Sequence, residues 1–414
     1  MNNNFSKYKK IKNSLSYNYK NYPLSSIIAI DIASIVYKKI KFSFKDFIKI
    51  ISYRKIKVEN PSNPTIFYSI GNYKRRDYYE ILDYVMKESN GKLIDLSNYE
   101  YKYYINLHSI FLSFYILFIK NRVIDLKWIN KLHLFCHMVF CLNNIKALEK
   151  NQKKLNNIKS FCAFCSNLSG EAELDFFFKS RGIPTFTLQH GSYFLYSAPQ
   201  PIDAIAYENL VADKLLCWGE YTKEQFEKYG IDKSRLLIAG YSKIHSPLKI
   251  KGSNEKLRIL VLFSRKEFHL NNKKLFKLLK LIDQEYDIHY KLHPSLDRNE
   301  YKRLSEGSKI IAMENKTIFE LLTTSNYDCT ITYNSTAYYD SYINNCISLR
   351  YKDQDSDAAI SVIDDNSFTN LKELKEKLQM ITELNNDVEF WNLVSQRLTY
   401  ILGFNINNYH ELLK

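Results

Sequence analysis

The sequence predicts an α/β protein of two Rossmann-like domains, each a parallel sheet with helices on both faces, and three observations lead there. Short apolar runs alternate with amphipathic helical stretches from Thr65 to Arg350, the order that buries a parallel sheet between helices. The chain has 414 residues, more than one hydrophobic core supports when domains average roughly 100–200 residues. A polar stretch at Tyr241–Lys256, with Pro247 and Gly252, separates two runs of alternation and reads as a linker. The expected parts are a basic, partly helical segment over 1–60 and a first Rossmann-like domain with a helical insertion over 61–245. A second Rossmann-like domain follows over 246–385, and a closing helix in 386–414 is expected to cross back to the first.

Residues 1–23 repeat Asn, Lys and Tyr, so fraying is expected there. Thr65–Ile70, Asp77–Glu88 and Lys92–Leu96 read as strand, helix and strand. Between Tyr101 and Lys154 the spacing is helical, with Trp128, Leu132, Phe135 and Val139 recurring at three and four residues. Phe161–Ser166, Gly170–Ser180 and Thr185–Leu188 restore the strand, helix, strand order, and Leu215–Trp218, Thr222–Tyr229 and Leu236–Ala239 repeat it. Beyond the linker the strands are Ile259–Phe263, Ile288–Leu292, Lys309–Ala312, Cys329–Tyr333 and Ile347–Arg350. The helices between them are Asn272–Ile282, Arg298–Leu304, Ile318–Ser325 and Ser335–Asn344. Leu371–Ile381 and Val388–Leu402 read as closing helices.

The formal charge of +15 suits nucleic acid, an anionic membrane face or a polyanionic substrate, and residues 1–60 carry much of it, with 13 Lys/Arg against 3 Asp/Glu. Tyr37–Val58 mixes apolar residues with lysines and suits either an anionic membrane surface or an ordinary surface helix. No recognisable nucleic-acid module accompanies the basic residues, so no nucleic-acid partner is expected. The seven cysteines sit in apolar patterns and suit reduced thiols in the cytoplasm. Cys162 and Cys165 form a CxxC with no second pair, so neither a metal nor a cofactor is expected. Ile27–Ile35 is broken by Asp31, and the apolar run Ile110–Ile119 is about half a membrane span. The expected place is the cytoplasm, peripheral at most on the inner face of the plasma membrane. Walker, GxGxxG, GxSxG and HExxH motifs are absent.

In open parallel sheets ligands sit beyond the carboxyl ends of the strands, and four loops there carry chemistry. Ser264 and Arg265, with Lys266, combine a hydroxyl and two cations suited to a diphosphate. In Lys291-Leu292-His293-Pro294 the proline ends a strand and leaves His293 at its mouth, while His289, two residues further in, reads as a satisfied core histidine. Asn334, Ser335 and Thr336 open a helix as capping residues, and Asp340 lies further along it, placed to reach a sugar hydroxyl. In the first domain Gln189, His190, Gly191 and Ser192 form a turn. There Gly191 permits a tight bend or close approach, and His190 is a candidate general base. Glu171, in the first turn of the preceding helix, is the alternative base.

The Gln-His-Gly turn, the Trp-Gly before a helix, the Lys-x-His-Pro strand end and the Ser-Thr-Ala helix start together resemble the GT-B-fold transferases of bacterial surface polysaccharides. Capsule-type glycosyltransferases, polysialyltransferases and CDP-glycerol glycerophosphotransferases are the nearest in pattern. The match covers Phe161–Arg350, and the first 150 residues show no comparable likeness. The resemblance implies two domains facing across a cleft and an inverting, metal-independent transfer from a nucleotide-activated donor to a glycan or lipid-linked glycan. His293, Ser335 and Thr336 would hold the donor phosphates, Asp340 its hydroxyls, and His190 would face them from the other domain. Transfer of glycerol or ribitol phosphate from a CDP-linked donor, isomerisation of a sugar nucleotide, and non-catalytic polysaccharide or nucleic-acid binding are the alternatives.

Overall fold

The computed structural model describes residues 4–38, 42–56, 63, 65–71, 75–121, 124–151, 157–193, 195–196, 200–243, 256–313, 315–353, 363 and 365–414. The chain forms two compact units: residues 1–243 with 405–414, and residues 244–404.

The first unit begins with helices α1 (Asn4–Ser14), α2 (Ala29–Lys38) and α3 (Phe44–Ile48). The expected fraying of the N-terminus is corrected here, because Phe5, Tyr8, Ile11 and Leu15 are all buried at three- and four-residue spacing. Tyr8 Oη donates to Glu208 at 2.5 Å and Lys12 Nζ reaches the same carboxylate at 2.9 Å. Each such buried side chain contributes about 1.5–3 kcal/mol, which outweighs weak local helix propensity. Tyr37–Val58 is likewise no single helix. Its described residues divide into the end of α2, α3, a short 3-10 turn and the strand Ser52–Lys55, which pairs antiparallel with Glu100–Tyr103.

The sheet of this unit contains β1 (Thr65–Ile70), β2 (Lys92–Asp95), β3 (Ile158–Ala163), β4 (Thr185–Leu188), β5 (Lys214–Cys217) and β6 (Leu236–Ile238), in the order β6-β5-β4-β3-β1-β2. All pairings are parallel. Its further helices are α4 (Arg76–Ser89), α5 (Leu107–Phe114), α6 (Trp128–Lys150), α7 (Ser169–Lys179) and α8 (Glu220–Tyr229). Strand β3 begins three residues before the expected Phe161, and its register against β1 shifts between Thr65 and Ile66.

The second unit carries β7 (Arg258–Leu262), β8 (Asp287–Lys291), β9 (Ile311–Ala312), β10 (Cys329–Thr332), β11 (Ile347–Tyr351) and β12 (Ser367–Phe368), all parallel, in the order β9-β8-β7-β10-β11-β12. Its helices are α9 (His269–Lys280), α10 (Arg298–Ser305), α11 (Ile318–Thr324), α12 (Ala337–Ile343), α13 (Leu371–Asn386) and α14 (Val388–Leu402). Most of the expected linker, residues 244–255, lies outside the described residues.

The expected return of 386–414 is split. Helix α14 belongs to the second unit, and only residues 405–414, with helix α15 (Tyr409–Leu413), join the first. There Tyr409 Oη donates to the Gly240 carbonyl at 2.8 Å and Ser160 Oγ to that of Leu413 at 2.8 Å. Gly240 has φ of +99°, and a Cβ on it would lie 1.8 Å from the Ile406 carbonyl oxygen. Among the described residues no helix is long and apolar enough to cross a membrane.

Candidate functional site

Each sheet has a point where strand order reverses direction, and loops diverge there to leave a crevice at the carboxyl ends. In the second unit that point lies between β7 and β10, and three of the expected loops converge beside it. Ser264, two residues past β7, is buried, and its Oγ donates to the Asn334 carbonyl beyond β10 at 3.3 Å. Asn272 holds the same residue from α9, accepting from Ser264 N at 3.2 Å and donating to its carbonyl at 2.9 Å. Asn334 adopts φ of +41°, the left-handed region that asparagine tolerates better than most residues.

The loop after β8 is stitched to the loop after β7. Lys266 N donates to Ser295 Oγ at 3.0 Å, and Ser295 presents both its N–H, at 3.1 Å, and its hydroxyl, at 2.8 Å, to His293 Nδ1. A backbone N–H can only donate, so Nδ1 is the acceptor and the ring proton resides on Nε2. His293 is thereby oriented as an Nε2–H donor at the strand mouth. Lys291, half-buried at the end of β8, has its pKa lowered by burial and by Arg298, with Glu320 opposing. Arg265 and Pro294 are exposed. His289 is the core histidine expected, with Nδ1 2.7 Å from Tyr327 Oη and Nε2 3.2 Å from Asp287.

The helix expected over Ser335–Asn344 is shorter, Ala337–Ile343. Thr336 occupies its cap position without a side-chain cap bond, while Ser335 Oγ accepts from Ala337 N at 3.2 Å. A helix of seven residues offers little dipole, so what these positions present is loop side chains rather than a helix end. Asp340 is half-exposed at the fourth position of that helix.

In the first unit strand order reverses between β1 and β3, and Glu171 closes that point. Its Oε1 accepts from Gly71 N at 2.8 Å, beyond β1; its Oε2 accepts from Cys165 N at 3.0 Å, beyond β3, and from Ser69 Oγ at 3.1 Å. The residue is fully buried, and burial raises its pKa to about 8 against the pull of these donors. All three donors belong to the protein itself. Glu171 therefore straps two strand ends together.

Gln189 performs a similar task for β4 and β5: its Oε1 accepts from Trp218 N at 2.6 Å and its Nε2 donates to the Gly191 carbonyl at 2.8 Å. His190 is thus held in an aromatic box, stacked on Phe164 with centroids 4.7 Å apart and meeting Tyr78 and Tyr193 edge-on at 5.7 Å. Its Nδ1 lies 3.3 Å from the Leu188 carbonyl and 3.1 Å from Tyr193 Oη. Burial lowers its pKa to about 4, so the imidazole is neutral at pH 7, as a proton acceptor must be. Gly191 is not in the left-handed region, and a Cβ there would meet nothing within 4 Å among the described residues, so a tight bend is not its reason. Ser192 Oγ is buried and has no hydrogen-bond partner among the described residues.

Sequence reasoning missed Ser295, Asn272 and the ring residues Tyr78, Phe164 and Tyr193. Ser295 was legible in principle, since a serine two residues after a histidine can bond back to it. The others are brought in by tertiary packing and leave no local signal.

The two-sheet architecture has solved counterparts. The chain is similar to the lipopolysaccharide outer core galactosyltransferase WaaB in its apo form, with a TM-score of 0.50 and 10% identity over 84% of this chain and 97% of that one. It is also similar to Anabaena Alr3699/HepE in complex with UDP-glucose, at TM-score 0.49 and 8% identity over 84% and 97% of the two chains. Likewise S. aureus MnaA with UDP gives 0.48 and 12% over 83% and 92%. No family model and no curated protein sequence matches the chain. At such identities the likeness is one of fold. The fold is the GT-B type, with two Rossmann-like α/β domains.

Proposed function

We propose that the chain is a glycosyltransferase that moves a sugar from a nucleotide-activated donor to a hydroxyl of a growing bacterial surface polysaccharide, such as a capsule. The observation that carries this reading is the pair of ties Ser264–Asn334 and Lys266–Ser295–His293, with half-buried Lys291 at the end of β8, at the strand-order reversal of the second sheet. An Nε2–H donor and an ammonium at such a point suit a departing nucleotide diphosphate, with Arg265, Ser335 and Thr336 at its rim and Asp340 toward the donor's hydroxyls. His190, neutral and walled by aromatic rings, takes the acceptor's proton. The resemblance to GT-B-fold transferases implies an inverting, metal-independent transfer, with the protein cations at the rim neutralising the leaving group.

The acceptor is a glycan or lipid-linked glycan, and the first unit approaches it at an anionic membrane face. Exposed Phe44, Phe47, Tyr103, Tyr104, Phe111 and Trp128, on elements that include α3, α5 and α6, support this, together with the basic excess of residues 1–60.

Thermal stabilisation by CMP, CDP, UDP and GDP tests the donor site, since a ligand that binds only the folded state raises its melting temperature. One diphosphate should stabilise the native chain and fail to stabilise His293→Ala. Product analysis with the preferred donor then distinguishes the chemistry: a new glycosidic bond supports the proposal. A phosphodiester product means polyol-phosphate transfer, an isomerised sugar nucleotide without acceptor means epimerisation, and either result overturns it. Full activity of both His293→Ala and His190→Ala would also sink the site.

A further inference from the structure

From a cluster in the N-terminal helical layer of the first unit, we infer that Asp46, His133 and His137 form a binding site for a divalent transition-metal ion of the zinc class. His133 and His137 stand one turn apart on α6, so both rings leave the same face, with centroids 4.3 Å apart. Asp46 on α3 faces them: its Oδ2 lies 3.4 Å from His133 Nδ1 and its Oδ1 lies 3.6 Å from His137 Nε2. The three ligand atoms lie within 4.8 Å of one another. Two ligands bound tetrahedrally to zinc at about 2.0–2.2 Å are about 3.3–3.5 Å apart, so the two pairs already have nearly the required separation.

Two further observations point to a metal rather than an ordinary polar cluster. His133 is only 5% exposed, yet neither of its ring nitrogens has a hydrogen-bond partner among the described residues. Burying an imidazole unpaired is costly, and a metal bond removes the cost for the nitrogen that binds. His137 is oriented in the manner of a metal ligand: its Nδ1 meets Asp31 Oδ1 at 2.8 Å, and Asp31 Oδ2 in turn accepts from Ser169 Oγ at 2.6 Å. A carboxylate on Nδ1 directs the other nitrogen, Nε2, toward the ion.

Two other groups bear on Asp46. Ser43 donates to its Oδ2 from N at 2.9 Å and Oγ at 3.2 Å, which fixes the carboxylate. Lys49 Nζ lies 2.7 Å from Asp46 Oδ1 and also against His137 Nε2, so an ammonium stands where these ligands would take a cation. Its side chain is 28% exposed, which lets it swing outward when a metal enters. Two imidazoles and one carboxylate suit zinc, leaving the fourth position to water. The ion would pin α3 to α6 and, through Asp31 and Ser169, to the start of α7.

The test is titration of the chelator-treated full chain with Co2+ and Zn2+. We expect one equivalent, with visible cobalt absorption of nitrogen and oxygen ligation and no thiolate charge-transfer band. His137→Ala and Asp46→Asn should abolish it, Asp31→Asn should weaken it about 10–100-fold, and Lys49→Met should tighten it. The Lys49 and Asp31 variants leave the three ligands in place, so they keep the test valid if a ligand variant unfolds. A thiolate band, no bound cobalt in the native chain and Lys49→Met, or binding unaltered by Asp31→Asn each overturns the inference.

Discussion

The two sheets reach the same kind of crevice by different means. In the second unit the loops past β7, β8 and β10 are tied to one another by backbone and small side chains, and cationic or donor groups remain at the mouth. In the first unit the equivalent point is tied from within by one buried carboxyl group, and beside it stands a histidine walled by rings. A shared architecture thus leaves cationic and donor side chains at the strand ends of one sheet and a buried strap beside a neutral, ring-walled histidine in the other. The difference lies in loop residues, not in strand order alone.

The largest effect should come from breaking the rim of the second unit. His293→Ala removes the one oriented Nε2–H donor and should lower transfer about 10²–10³-fold, measured as kcat/KM with the preferred donor, while the melting temperature stays near that of the native chain. Next, Glu171→Gln should act on stability above about pH 8, where the native carboxylate is ionised: the new amide faces the Cys165 or Gly71 N–H with a donor of its own, at a cost of about 1–3 kcal/mol by chemical denaturation. An unchanged denaturation midpoint would mean that the strap is dispensable.

A smaller, pH-dependent effect separates His190 from both. Burial keeps it neutral in the folded protein down to about pH 4, whereas in the unfolded chain it takes up a proton near 6.5. The unfolded state therefore binds the extra proton in that window, and stability is lost as pH falls from about 6.5 to about 4. His190→Phe should remove that part of the acid sensitivity, seen as a shallower decline of melting temperature with pH. The smallest effect belongs to exposed Arg265: Arg265→Ala should raise the donor KM a few-fold and reduce its salt dependence, with kcat unaltered.

Much of this division was legible. The strands Thr65–Ile70 and Thr185–Leu188 fall where apolar runs place them, and β7 and β8 are displaced by one residue, because Arg258 and Asp287 pair with each other at the strand starts. His293 and Asn334 were expected in strand-end loops from loop chemistry, and both lie there. Glu171 was read as an alternative base, and in the structure it meets the N–H groups of two strand ends: a carboxylate in a first helical turn looks the same whether it meets a substrate or two backbone N–H groups of distant strands. The N-terminal layer was the least legible. Beside the periodic burial of its apolar face, it is held by Tyr8 and Lys12 meeting Glu208, about 200 residues away, a partner that local periodicity does not reveal.

The return of residues 405–414 has a consequence for biosynthesis. Every residue of the second unit leaves the ribosome before the first unit has its last piece, because Gly240 and β3 wait for Tyr409 and Leu413. Domains commonly fold in the order in which they emerge. Here all of the second unit precedes the segment that seals the first, so a chain truncated after residue 404 should keep a finished second unit and an unsealed first.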